Sequence, residues 1–266
     1  MSYLITTLCL GNKYQPIKEH WIKRVKDKCK NCEIKIIDDT VILTNQYSYD
    51  YHENIWAIRF KKNLEFLIKT NKPIVMCDVD VIIEKDIQPI VDLPFDIIIS
   101  KEIGGPESYP RECSQVIGFG VCCGFMIVKP TAQKIMMEIF KNIASKKYGL
   151  CDDQVNIMNY IVNSKYEIKD EKCVLEGVEY NNKIIEIDGI KICVLDFRIV
   201  TRDPVLSETQ FANHINIDNV GGTMNFLYYF YHPLEKLPLT CRCGKTHLGD
   251  YTVCKHIGMR NQIFST

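Results

Sequence analysis

The sequence has 266 residues, with 33 basic and 33 acidic side chains, 46% apolar residues and 13 cysteines. This length and hydrophobicity suit one globular body with a sizeable core, and they exclude the disordered, collagen-like and coiled-coil classes. The net charge of zero provides no long-range attraction to polyanions, so we expect no nucleic-acid partner and a local cluster of charges around any anionic ligand.

The cysteines do not indicate a disulfide scaffold, because they form only about 5% of a long chain and their number is odd. The first residues, from Met1 to Tyr14, lack the basic and apolar regions of a signal peptide. No apolar run approaches the ~18 residues that a membrane-spanning helix needs. We therefore expect a cytoplasmic protein with reduced thiols and no membrane span.

Apolar segments alternate with amphipathic ones through the first two thirds of the chain, which is typical of βα units. The predicted strands are Tyr3–Cys9, Glu33–Ile37, Pro73–Ile83, Phe95–Ser100, Val121–Val128, Lys191–Leu195 and Asn213–Ile217. The predicted helices are Pro16–Cys29, Asn54–Thr70, Thr131–Ile143 and Gln154–Val162, and a polar loop is expected over Lys101–Gly118. This order predicts an α/β domain with a mixed, mostly parallel sheet flanked by helices over residues 1–236. Residues 237–266, which are poor in aliphatic side chains, are expected to form a small C-terminal appendage.

Two aspartates, Asp78 and Asp80, interrupt the end of the most apolar predicted strand. Residues two apart on a strand point the same way, and ligands bind at the carboxyl ends of strands in open α/β sheets. Two adjacent carboxylates on an apolar segment are costly unless a cation neutralises them, so the pair predicts a divalent metal site. The alternative is that both side chains cap a turn by accepting backbone N–H bonds.

This Asp-x-Asp, with the runs DVDVII, CCGFMIVKP and DDQ in that order, resembles the GT-A fold glycosyltransferases, across roughly Ser2 to Leu234. The resemblance implies a Rossmann-like GT-A sheet whose Asp-x-Asp binds a metal and the diphosphate of a nucleotide-sugar. The residues that it implies for nucleotide-sugar binding are Thr6, Thr7, Tyr14, Arg59, Asp78, Val79, Asp80 and Gly124. Lys62 is the alternative to Arg59, and close packing of small residues is the alternative explanation for Gly124.

The resemblance also implies an acidic residue beside the anomeric carbon and a histidine in the metal shell. Asp153 is the favoured catalytic residue, with Asp152 as the second choice, although an aspartate before a helix is also a common N-cap. His214 is expected to complete the metal site with Asp78 and Asp80, because imidazole suits manganese beside carboxylates. His232 is the alternative ligand, and a purely structural histidine stays open for either.

The C-terminal segment contains a group of soft metal ligands. Cys241, Cys243, Cys254 and His256, with His247 between them, are a possible structural zinc site, although the spacing differs from the usual C-x2-C knuckle.

The expected activity is transfer of a hexose or similar sugar from a nucleoside-diphosphate-sugar, with a UDP-sugar favoured, to a hydroxyl acceptor, which is a glycan, a protein or a small molecule. Mn²⁺ or Mg²⁺ is the expected cofactor. The alternatives are a sugar nucleotidyltransferase and an inactive GT-A body that serves as a zinc-stabilised interaction module.

Overall fold

The structure is a computed structural model that describes residues 2–10, 14–38, 49–102, 104–201, 209–215, 238–240 and 246–248. The helices are α1 (Gln15–Lys28), α2 (Tyr49–Thr70), α3 (Gln88–Val91), α4 (Arg111–Ile117), α5 (Gln133–Ala144) and α6 (Asp153–Val162). The strands are β1 (Tyr3–Leu8), β2 (Cys32–Ile37), β3 (Ile74–Cys77), β4 (Val81–Ile83), β5 (Ile97–Lys101), β6 (Val121–Val128), β7 (Glu167–Leu175), β8 (Val178–Ile187), β9 (Ile190–Val194), β10 (Val200–Thr201), β11 (Ala212–His214), β12 (Pro238–Thr240) and β13 (Thr246–Leu248). No helix in these ranges is long and apolar enough to cross a membrane.

A mixed sheet of eight strands, in the order β2-β1-β3-β6-β5-β9-β8-β7, forms the centre of the fold. Strands β1, β2 and β3 are parallel, as are β5 and β9, while β6 pairs antiparallel with both β3 and β5. Within this sheet β6 and β8 run against the other strands. The predicted mixed α/β architecture is confirmed.

Two apolar cores cover the two faces of this sheet. One contains Trp21 and Val25 of α1, and the other contains residues of α2, α4, α5 and α6. Strand β6 lies between the two cores with all eight residues buried, which explains why its sequence VCCGFMIV is almost wholly apolar. On α5 the buried residues Ile135, Met136, Ile139 and Ile143 recur at helical spacing.

The single strand predicted over Pro73–Ile83 is wrong. The chain forms two short strands, β3 and β4, which belong to different sheets and are separated by a turn at Asp78–Asp80. Strand β4 instead pairs antiparallel with β11 in a three-stranded sheet, β10-β11-β4. The apolar pattern did not reveal this break, because both strands are fully buried and leave no polar alternation.

Two further segments differ from the sequence-based prediction. The loop expected over Lys101–Gly118 contains α4, which ends at Gly118 with φ 84°, a conformation that glycine adopts without steric cost. A long hairpin, β7–β8, was not predicted. Its outer strand β7 is mostly exposed and carries charged residues, so it lacks the apolar signature of a buried strand.

Candidate active site and metal centre

The turn from Asp78 to Asp80 is fixed by backbone hydrogen bonds to two other strands. The Asp78 N–H donates to the carbonyl of Gly124 on β6 at 2.8 Å, and the Ile215 N–H, just after β11, donates to the Asp80 carbonyl at 3.1 Å. The Val81 N–H closes the turn on the Asp78 carbonyl at 3.0 Å. The two carboxylates therefore occupy defined positions at the carboxyl end of β3.

Asp78, Asp80 and His214 come together at this turn. One potential ligand atom from each lies within 4.8 Å of the others. The Nε2 atom of His214 is 3.3 Å from Asp80 Oδ1 and 3.6 Å from Asp78 Oδ2. His214 reaches this position because β11 pairs with β4, where His214 is opposite Val81. The cluster joins residues that are far apart in sequence.

Strand β6 forms the floor beneath the histidine. A Cβ atom at Gly124 would be 2.2 Å from His214 Cε1, 2.5 Å from His214 Nδ1 and 2.9 Å from Asp78 Oδ2. Cys122, two residues earlier and therefore on the same face of the strand, places its sulfur 3.4 Å from His214 Nδ1. The absence of a side chain at Gly124 thus makes room for the histidine, and Cys122 orients its ring.

Arg59 of α2 is buried and contacts the same centre. Its Nη1 donates to Asp78 Oδ1 at 2.6 Å and lies 3.8 Å from Asp153 Oδ2, while its Nη2 donates to the carbonyl of Cys123. Asn63, one helical turn later, donates to the Arg59 carbonyl at 2.8 Å and accepts from Thr6 Oγ1 at 2.5 Å. These bonds connect β1, α2 and the Asp78 carboxylate.

Two aspartates begin α6 and have different environments. Asp152 is the N-cap, since its Oδ1 accepts from the Val155 N–H at 2.9 Å. Asp153 is 2% exposed, and its Oδ2 has no hydrogen-bond partner within the described residues. Burial raises the pKa of Asp153 to about 6, although the nearby Arg59 acts in the opposite direction. A buried carboxylate oxygen with unused bonding capacity is typical of a ligand-binding or catalytic position.

The donor set fits a divalent cation. Burial lowers the pKa of His214, but Cys122 and Asp80 outweigh this effect and raise the pKa to about 10, so these two neighbours favour a positive charge at this point. Two carboxylates with one imidazole suit Mn²⁺ or a similar metal, and Asp78 and Asp80 remain partly accessible. The residues present therefore match the metal site that the sequence predicts.

The structure brings most of the predicted site residues together and leaves others apart. Asp78, Asp80, His214, Gly124, Arg59 and Asp153 converge, and Val79 is buried within the turn. Thr6 and Thr7 are each 1% exposed on β1, and the Thr6 hydroxyl is bonded to Asn63. Tyr14 precedes α1, and its carbonyl accepts bonds from the Ile17 and Lys18 N–H groups.

Several sequence-based predictions lie outside the described residues. They concern Cys241, Cys243, Cys254 and His256 of the possible zinc site, and the alternative metal ligand His232. Sequence reasoning missed two residues that the structure places near the centre, Cys122 and Asn63. Cys122 shares a strand face with Gly124, and Asn63 lies four residues after Arg59, so the strand and helix periodicities were the available signals.

Comparison with known proteins places this geometry in context. The sequence matches the family described as nucleotide-diphospho-sugar transferase over residues 18–222. No curated protein sequence matches the chain. Among solved structures, the apo form of mouse xyloside xylosyltransferase 1 is similar, with a TM-score of 0.50, 12% identity and coverage of 82% of this chain and 99% of that one. A glycosyltransferase involved in the glycosylation of the major capsid of PBCV-1 has a TM-score of 0.51 and 12% identity, with coverage of 86% and 98%.

Proposed function

Because the chain belongs to the nucleotide-diphospho-sugar transferase family and has the GT-A fold, we propose that it is a metal-dependent glycosyltransferase. The substrates would be a nucleoside-diphosphate-sugar and a hydroxyl acceptor, with a UDP-hexose as the favoured donor. The observation that carries this proposal is the convergence of Asp78, Asp80 and His214 at the carboxyl end of β3. Ligands of open α/β sheets bind at this edge.

Asp78, Asp80 and His214 would hold Mn²⁺ or Mg²⁺. When bound there, the cation would supply positive charge to neutralise the negative charge that develops on the leaving diphosphate. Arg59 fixes the orientation of Asp78, because it binds the carboxylate oxygen Oδ1 and leaves Oδ2 on the side of His214. Cys122 orients the imidazole through Nδ1 and leaves Nε2 toward the carboxylates.

Asp153 is the proposed residue at the anomeric centre. Arg59 Nη1 lies 3.8 Å from its Oδ2 and 2.6 Å from Asp78 Oδ1, and this Oδ2 has no hydrogen bond within the described residues. At neutral pH a carboxylate there can deprotonate an acceptor hydroxyl or stabilise positive charge on the sugar ring. Asp152 keeps the start of α6 in place as its N-cap, so the two adjacent aspartates divide catalysis and positioning.

The experiment is a donor screen with a metal control. Purified protein is incubated with a panel of nucleotide-sugars with Mn²⁺, with Mg²⁺ or with a chelator, and release of the nucleoside diphosphate is measured. The wild type is compared with Asp80→Ala and with Asp170→Ala. Asp170 is an exposed carboxylate on β7 and pairs with Lys183 at 2.7 Å, so it serves as a matched control.

The expected result is release that requires the metal, is lost in Asp80→Ala and is unchanged in Asp170→Ala. Activity that is insensitive to both the chelator and Asp80→Ala would refute the metal-dependent mechanism. Release of pyrophosphate from a nucleoside triphosphate and a sugar phosphate would instead support the sugar nucleotidyltransferase alternative.

We also propose a separate role for residues 237–266, where Cys241, Cys243, Cys254 and His256 would hold a structural zinc ion. Four ligands of this type are sufficient for a closed tetrahedral site. Measurement of bound zinc in the wild type and in a Cys241→Ser/Cys243→Ser variant tests this role, since zinc retained by the variant would contradict it.

A further inference from the structure

A pair of cysteines joins the end of α1 to the start of β2. Cys29 directly follows α1, and Cys32 is the first residue of β2, which gives the spacing C-x-x-C. Tyr3 is opposite Cys32 in the parallel register of β1 and β2, so the two side chains lie on the same face of the sheet. Cys29 and Tyr3 belong to the core that covers this face. Three polar side chains thus meet at one end of an apolar core.

The contacts within this group are direct. The Cys32 thiol donates to the carbonyl of Cys29 with an S···O distance of 3.6 Å. The Tyr3 hydroxyl is fully buried and makes no conventional hydrogen bond within the described residues. The neighbouring Cys32 thiol and Tyr3 hydroxyl lower the pKa of Cys29 by more than burial raises it. The cluster therefore favours a thiolate at Cys29.

Both cysteines line a surface cleft of about 530 Å³, together with Lys26, Lys30 and Ile34, and Cys29 itself is 4% exposed. Cys32 is partly exposed, and both lysines are exposed at the mouth of the cleft. Two ammonium groups beside a thiolate attract small anions, and small cellular disulfides such as oxidised glutathione are anionic. The cleft lies at the end of α1 and contains none of the proposed active-site residues.

We propose that Cys29 and Cys32 form a reversible disulfide by exchange with a small anionic disulfide. The Cys29 thiolate attacks one sulfur of the small disulfide, forms a mixed disulfide and releases one small thiolate. The Cys32 thiol loses its proton to solvent and attacks the Cys29 sulfur, which closes the intramolecular bond and releases the second small thiolate. Two electrons pass from the protein dithiol to the small disulfide, and the two released thiolates take up two protons.

The test uses the reduced full-length protein under native conditions. The protein is incubated with oxidised glutathione, the remaining thiols are blocked with iodoacetamide, and a tryptic digest is analysed by mass spectrometry. Trypsin cuts after Lys28, Lys30 and Lys35, so the disulfide joins the dipeptide 29–30 to the pentapeptide 31–35. These linked peptides are expected as the main oxidised product of the wild type, and they should disappear after reduction.

Two variants make the assignment specific. Cys32→Ser removes the resolving thiol, so Cys29 is expected to keep one glutathione adduct. Cys173→Ser changes another partly exposed cysteine, on β7, and is expected to leave the linked peptides unchanged. The proposal is overturned if Cys29 and Cys32 both remain alkylated in the wild type while Cys173 reacts, or if either is found linked mainly to a different cysteine. The readout does not depend on glycosyltransferase activity, so it is independent of the proposed function.

Discussion

A methyl group added at Gly124 tests the proposed centre most directly. In Gly124→Ala the new Cβ would be 2.2 Å from His214 Cε1, whereas an ordinary contact begins at about 3.4 Å, so the ring has to move by about 1.2 Å. Metal–ligand distances tolerate only about 0.2 Å, and changes to groups that orient ligands typically cost about 10- to 100-fold in metal affinity. We therefore expect Mn²⁺ affinity to fall by at least ~10-fold. Metal-dependent release of nucleoside diphosphate should fall with it.

Gly120→Ala provides the matched control. A Cβ there would be 2.4 Å from Ser108 Cβ, an equally severe contact that involves none of the metal ligands. Both variants should lose stability, by about 1–3 kcal/mol as for other overpacked sites, but only Gly124→Ala should lose affinity for Mn²⁺. Titration calorimetry with Mn²⁺ and thermal unfolding of both variants give the comparison. Wild-type Mn²⁺ affinity in Gly124→Ala would refute the reasoning.

Three further predictions concern buried charges. Arg59→Met leaves Asp78 without its partner and should lower the free energy of unfolding by about 2–3 kcal/mol in urea denaturation. The loss is smaller than for a fully buried ion pair because Asp78 is 32% exposed. An unchanged urea midpoint would contradict a stabilising Arg59–Asp78 pair. Asp153→Asn should abolish activity yet stabilise the fold by roughly 3 kcal/mol at pH 7. The variant is the more stable protein because burial raises the Asp153 pKa to about 6, so the wild type loses stability as pH rises from about 4 through 6. A stability difference between the two proteins that is independent of pH would count against this explanation. For Asp196, burial raises the pKa, but hydrogen bonds from Arg198 and from backbone N–H groups outweigh burial, so the pKa lies below its usual value. This carboxylate therefore stabilises the protein above about pH 4, and the benefit over Asp196→Asn should disappear in acid unfolding as pH falls below that value.

Sequence periodicity predicted the elements that bury continuous apolar surface. Strand β6 and helix α5 were predicted with nearly the correct bounds, because each packs a regular apolar pattern against the core. The β7–β8 hairpin was missed because its turn at Glu176–Gly177 joins a charged edge strand to the sheet. Edge strands obtain part of their stability from backbone pairing, which leaves little trace in the side-chain pattern.

The centre was predicted through residue types more than through geometry. The sequence-based prediction correctly placed Asp78 and Asp80 next to each other, but it explained their proximity by strand alternation. In the structure, their proximity results from a turn that is bonded to Gly124. The contribution of His214 depends on the pairing of β11 with β4, a contact between distant segments. Cys122 and Asn63 act through single side-chain contacts, and a single sequence contains no signal strong enough to select them.

The position of His214 has a consequence for folding. Asp80 and His214 are separated by 134 positions along the chain (214 − 80), and β11 pairs with only β10 and β4 among the strands that the structure describes. A cation that binds both residues would act as a removable cross-link that closes a loop of this length. Metal binding would then hold the later part of the chain against the sheet as well as prepare the centre for its substrate. Supply of the metal would therefore control how much of the protein is fully folded.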